Sequence, residues 1–131
     1  MKPIPIIFLD ANTAFRRLAV RVLERHFQAD IRLLANADSW PLRFNGSEQP
    51  QAVLFGLGSD GLIDPQLMLA IHAALPGVPV VVLGHLDDPA YRSAAFAAGA
   101  AAFVSKDTIG DMLIPLLRQL TTCKPDREES V

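Results

Sequence analysis

Apolar positions along this chain follow two periods in alternation. Ile4 to Leu9, Gln51 to Gly58, Val78 to Leu83 and Ala101 to Val104 contain short apolar runs without polar interruption. Such runs fit strands covered on both faces, the habit of parallel sheets. Asp30 to Leu34 shows some alternation and suits an edge strand. Between the runs, apolar residues return at helical spacing. Asn12 caps a first helix with Phe15, Leu18, Ala19, Val22 and Leu23 inward. Asp64-Pro65 opens a second, with Leu67, Ala70, Ile71 and Ala74 on one face and Pro76-Gly77 at its end. Asp88-Pro89 opens an alanine-rich third, Ala90 to Ala98, stopped by Gly99. Thr108, with Asp111 three residues on, caps a last helix whose stripe is Ile109, Met112, Leu113, Leu116 and Leu120, and Pro115 should kink it. Ala35 to Pro50 is the least regular stretch. One or two helical turns are expected there, capped by Asp38 or Ser39 and packed by Trp40 and Phe44, before a turn at Asn45-Gly46.

Five strands alternating with helical segments predict an α/β fold: a doubly wound five-stranded parallel sheet with right-handed crossovers. At this length the flavodoxin-like strand order 2-1-3-4-5 is the expected one. Residues 1–120 form the domain, and 121–131 read as a polar tail or linker stub.

Composition narrows the function classes. The chain has 131 residues, 20% of them charged, and a net charge of −2, so no basic surplus argues for nucleic acid or a membrane surface. The longest nearly uncharged stretch, Gly61 to Leu86, is broken by Pro65, Pro76 and Pro79 and cannot span a bilayer as one helix. The start lacks the apolar length and cleavage site of a secretory signal, and a cytoplasmic protein is expected. Cys123 has no disulfide partner, and no Cys/His cluster has metal-ligand spacing. Arg16, Arg17, Arg21 and Arg25 on the first helix read as a solvated face.

Ligand chemistry in parallel sheets gathers at the carboxyl ends of strands. Here those ends carry Asp10, Gly56, Gly84 and Lys106, and glycine at position 56 offers no side chain for chemistry. Asp64, Asp88 and Thr108 are accounted for as caps, His26, His72 and His85 are scattered, and Phe55, Phe96 and Phe103 read as core. No nucleophile elbow, Walker loop or dinucleotide fingerprint is present, so no enzyme is expected.

The segments Ile6-Ile7-Phe8-Leu9-Asp10-Ala11-Asn12, Ala52 to Gly58, Leu75 to Leu83 and Ala98 to Lys106 resemble, in order and spacing, the receiver domain of bacterial two-component response regulators. The resemblance runs from Ile4 to Leu120, and the Ser105-Lys106-Asp107 ending looks like receivers that precede a helix-turn-helix output domain. In such receivers an aspartate ending the third strand accepts a phosphoryl group, and an acidic pair ending the first helps hold Mg²⁺. A hydroxyl residue ending the fourth strand and a lysine ending the fifth contact the phosphoryl oxygens. Asp10 and Lys106 match two of these positions. Ala11 stands in place of the second acid, Gly56 in place of the phosphoacceptor and Gly84 in place of the hydroxyl, while Phe103 matches the switch-position aromatic. Gly61 fits the loop after the third strand, with Asp60 replacing the usual proline.

The resemblance thus implies a degenerate, atypical receiver in which Asp10 and Lys106 meet as an ion pair in a shallow pocket. No metal or cofactor is expected, since hard cations need several anionic oxygens. The implied function is a signal-transduction module of a two-component phosphorelay that acts by protein-protein contact without phosphorylation. It would work as a homodimer through the Asp88 to Leu120 face, with a sensor kinase or an output domain as further partners and no direct contact with nucleic acid or membrane. The alternative is a functional phosphoacceptor using a non-standard carboxylate such as Asp60.

Overall fold

The computed structural model describes residues 3–41, 48–58, 62–85 and 89–129. Its strands are β1 (Ile4–Asp10), β2 (Ile31–Ala37), β3 (Ala52–Gly56), β4 (Val80–Gly84) and β5 (Ala102–Ser105). They form one parallel sheet in the order β2-β1-β3-β4-β5. The helices are α1 (Thr13–His26), α2 (Pro65–Ala74), α3 (Pro89–Ala97) and α4 (Ile109–Glu129), the last preceded by a 3-10 turn over Lys106–Thr108. This is the doubly wound, flavodoxin-like architecture expected from the sequence.

Uninterrupted apolar runs become buried strands because both sheet faces are covered. Every residue of β1 and β4 is buried, whereas β2, at the edge, is mostly half-buried or exposed. Alternate strand residues enter two separate layers. Ile6, Phe8, Leu54, Val81 and Val104 pack against Ala19 and Leu23 of α1 and Leu113, Ile114 and Leu117 of α4. Ile7, Leu9, Val53 and Val82 pack against Met68 and Ile71 of α2 and Ala95 of α3.

Several local expectations are corrected. The inward stripe of α1 is Phe15, Ala19, Val20 and Leu23; Leu18, one helical step off that line, is 61% exposed. In α4 the stripe centres on Leu113, Ile114 and Leu117, leaving Met112 outside at 56% exposure. Phe96 is likewise outside the core, at 46%. β2 runs three residues beyond Leu34, to Ala37. Residues 38–41 are bends, so the short helix does not begin there, and Phe44 and the Asn45-Gly46 turn lie outside the described residues. Asn12 and Asp64 do cap α1 and α2, accepting the amides of Phe15 and Gln66. Asp88 lies outside the described residues. Thr108 is no N-cap: its hydroxyl donates to the Ser105 carbonyl, and the Ser105 side chain accepts the Asp107 amide to open the 3-10 turn. Helix α4 continues through Pro115, whose missing N–H costs one backbone bond, and past Leu120 to Glu129. The polar end is therefore helical.

Among the described residues no helix is long and apolar enough to cross a membrane.

Candidate functional site at the carboxyl edge of the sheet

Parallel pairing brings the strand ends together: Asp10 lies opposite Gly56 in the register of β1 and β3, and Gly84 opposite Ser105 in that of β4 and β5. Lys106 follows directly, at the start of the 3-10 turn. The topology therefore converges Asp10, Gly56 and Lys106 from segments far apart in sequence.

Asp10 and Lys106 form a buried ion pair, Nζ to Oδ2 2.8 Å, with side chains 0% and 3% exposed respectively. The pocket expected to be shallow is closed. Oδ2 meets the ammonium as a charge contact with no directed hydrogen bond, while Oδ1 accepts the Asn12 amide at 2.8 Å. The ammonium donates to the Leu57 carbonyl at 3.0 Å and stands 4.4 Å from the centroid of the Phe15 ring. A buried charge pair is tolerated only when such additional contacts offset the lost hydration, and here a carbonyl and an aromatic face supply them. Arg16 of α1 donates to the Asp10 carbonyl at 2.9 Å, fixing the helix against the strand end.

The two glycines are overlain by neighbours. A Cβ on Gly56 would lie 1.9 Å from Asp10 Oδ2, so the carboxylate occupies the space into which any side chain at position 56 would project. A Cβ on Gly84 would lie 2.4 Å from Phe103 Cζ, so the aromatic ring fills the corresponding space on β4. Phe103 is buried, and the Arg92 guanidinium of α3 stands 5.2 Å from its ring centroid. Ala11, the next residue after Asp10, is exposed.

This set does not fit a hard divalent cation. Asp10 is the one carboxylate at the strand ends β1 and β3, and its oxygens are committed to an amide and an ammonium. Mg²⁺ needs several anionic or carbonyl oxygens in near-octahedral array. Among the described residues no group of three His, Cys, Asp or Glu side chains could hold a metal ion. Asp60 and Gly61 lie outside the described residues. His85, at the end of β4, is exposed.

Reading the sequence missed three participants: Phe15 as the platform under Lys106, the Leu57 carbonyl as its acceptor, and Arg92 over Phe103. For Phe15 the signal was its position three residues after the Asn12 cap, at the first inward turn of α1, beside the end of β1.

No protein-family model matches the sequence, and no curated protein matches it. Solved structures do. The receiver domain of the NarL response regulator from Mycobacterium tuberculosis is similar at 19% identity and a TM-score of 0.70, over 93% of this chain and 98% of that one. A LuxR-family two-component response regulator from Aurantimonas gives 19% identity and 0.73, over 92% and 86%. The RcsB response regulator of Salmonella typhimurium gives 16% and 0.69; the similarity covers 95% of this chain but 62% of that protein. The chain therefore has the five-stranded fold of response-regulator receiver domains, with a buried Asp10–Lys106 pair closed over Gly56 at its carboxyl edge.

Proposed function

We propose that this chain is a receiver-like signalling module of a two-component regulator that acts by protein-protein contact and not by accepting a phosphoryl group; it is not an enzyme. The observation that carries the reading is the Asp10 carboxylate lying within 1.9 Å of where a Gly56 Cβ would stand. A phosphoryl group needs a nucleophilic carboxylate there, an ion beside it and free donors for its oxygens. At this site the nucleophile is missing, the remaining acid is neutralised, and the lysine is held by three partners.

The proposed partner is a second copy of the chain, with a sensor kinase or an output domain as alternatives. The surface proposed is the face made by α3, β5 and α4, within the expected Asp88 to Leu120 region. Phe96 and Met112 are exposed there, beside a cleft of about 280 Å³ lined by Arg92, Phe103 and Met112. Sedimentation velocity should show a dimer that Met112→Glu converts to monomer.

The test of the main reading is the intact mass after incubation with acetyl phosphate and Mg²⁺. The expected result is no phosphoryl adduct. Any adduct would overturn the reading, and one lost in Asp60→Asn would assign the acceptor to Asp60.

A further inference from the structure

The carboxyl edge of the sheet has a second side. Leu9, Phe55 and Leu57 alternate with Asp10 and Gly56 along β1 and β3, and they belong to the layer covered by α2 and α3. On that side lies a cavity of about 200 Å³, walled by Leu9, Trp40, Phe55 and Leu67, with Asp38 and Asp64 at its rim. It sits where β1 and β3 lead to helices on opposite faces, the topological switch point at which open α/β sheets bind ligands. The ion pair lies on the other side, against Phe15 of α1.

We infer that this cavity is a binding site for a small aromatic cation, a one- or two-ring molecule bearing an amine or amidinium. Three properties select that class. The volume is below the roughly 300–1,000 Å³ of sites for larger ligands, which limits the occupant to a ring or two. The walls are apolar and aromatic, and the indole of Trp40, half-buried at the wall, offers the most favourable aromatic face for a cation. Among the described residues, the charged side chains lining the cavity are both carboxylates, Asp38 and Asp64, and none is basic. The amino end of α2 would by itself favour an anion, but the Asp64 carboxylate already occupies it by accepting the Gln66 amide at 3.0 Å. Of the described cations at this edge, Lys106 is held on the far side of the sheet by Asp10 and Arg16 is engaged by the Asp10 carbonyl. Phosphate and carboxylate ligands are therefore disfavoured, and an organic cation places its ring between Trp40 and Phe55 with its charge toward Asp38.

This inference is independent of the phosphorylation reading: a phosphoryl adduct would overturn that reading and leave the cavity untouched. Trp40 is the single tryptophan of the chain, so its fluorescence and its indole N–H resonance report on the site directly. The experiment titrates the full chain with benzamidine, benzoate, benzamide and inorganic phosphate. Benzamidine should shift the Trp40 resonance saturably, benzoate should bind about tenfold more weakly, as expected for one charge interaction near a protein surface, and phosphate should leave the resonance unmoved. Asp38→Asn should weaken benzamidine several-fold and leave benzamide unchanged. Ala11→Phe, an exposed position that also lines the cavity, should abolish binding of both. The inference is overturned if benzamidine gives no saturable shift at millimolar concentration, if benzoate binds as well as benzamidine, or if Ala11→Phe leaves the titration unaltered.

Discussion

The ends of β3 and β4 make the same provision in two different ways. Each closes on a glycine overlain by a side chain from a neighbouring strand: Asp10 over Gly56, Phe103 over Gly84. Asp10 is buried and fastened at both oxygens, to an amide and to an ammonium that is itself held by a carbonyl and a ring. Phe103 is held by packing, with one guanidinium over its face. The first overlay has directional contacts and an energetic penalty for moving. The second is a ring in a space, which can yield. The β3 end should therefore be rigid and intolerant of change, and the β4 end softer, although at both positions a Cβ would meet a neighbour at under 3 Å, 1.9 Å at Gly56 and 2.4 Å at Gly84.

The largest expected effect comes from removing one member of the rigid overlay. Lys106→Met leaves the fully buried Asp10 carboxylate uncompensated, and urea unfolding should show a loss of about 3–5 kcal/mol. Combining it with Asp10→Asn should recover most of that loss, because the uncompensated charge is gone. If the single variant lost less than about 1 kcal/mol, the pair would be behaving as a surface contact and the contrast between the two ends would fail.

Gly56→Ala should cost less, about 3 kcal/mol, the upper range for overpacking, since the new methyl must displace a carboxylate that has nowhere else to make its contacts. The cost should fall when Asp10→Ala is present, a coupling that a double-mutant cycle measures directly. Additive costs would mean that the two positions do not interfere. Gly84→Ala should cost about 1 kcal/mol, because the ring of Phe103 can tilt away; Phe103→Leu should relieve it. A Gly84→Ala cost equal to that of Gly56→Ala would erase the distinction drawn here. Smallest is Leu18→Ser, expected within about 0.5 kcal/mol of no change because the side chain is 61% exposed. A large loss there would reveal a partner covering α1.

Strand existence and strand order were legible in the residues, because a parallel sheet with both faces covered leaves a hydrophobic signature that few other structures share; the meeting of Asp10 with Lys106 was implied by the resemblance to receiver domains. Helix faces were less legible. Leu18 and Met112 fit a helical period as well as Ala19 and Leu113 do, and only packing against the sheet decides which of two adjacent lines turns inward. The depth of the ion pair was also out of reach: spacing places Asp10 and Lys106 at one edge, but burial depends on Phe15 and Leu57 closing over them. The cavity beside Trp40 needed the sheet itself, since its walls come from β1, β3, α2 and the segment after β2. Glycine at 56 and 84 announced missing chemistry; it did not announce which neighbours would fill the space.

The central place of β1 has a consequence for how the chain reaches this structure. Ile4–Asp10 pairs with β2 on one side and with Ala52–Gly56 on the other, so its second partner leaves the ribosome roughly 2–9 s later at about 5–20 residues per second. In that interval one edge of a fully buried strand has no partner, and Asp10 has no Lys106 until some 96 further residues are made. Loop closure over such distances is what makes parallel sheets slow to form. The buried pair, which locks the finished edge, is by the same geometry one of the last contacts to form.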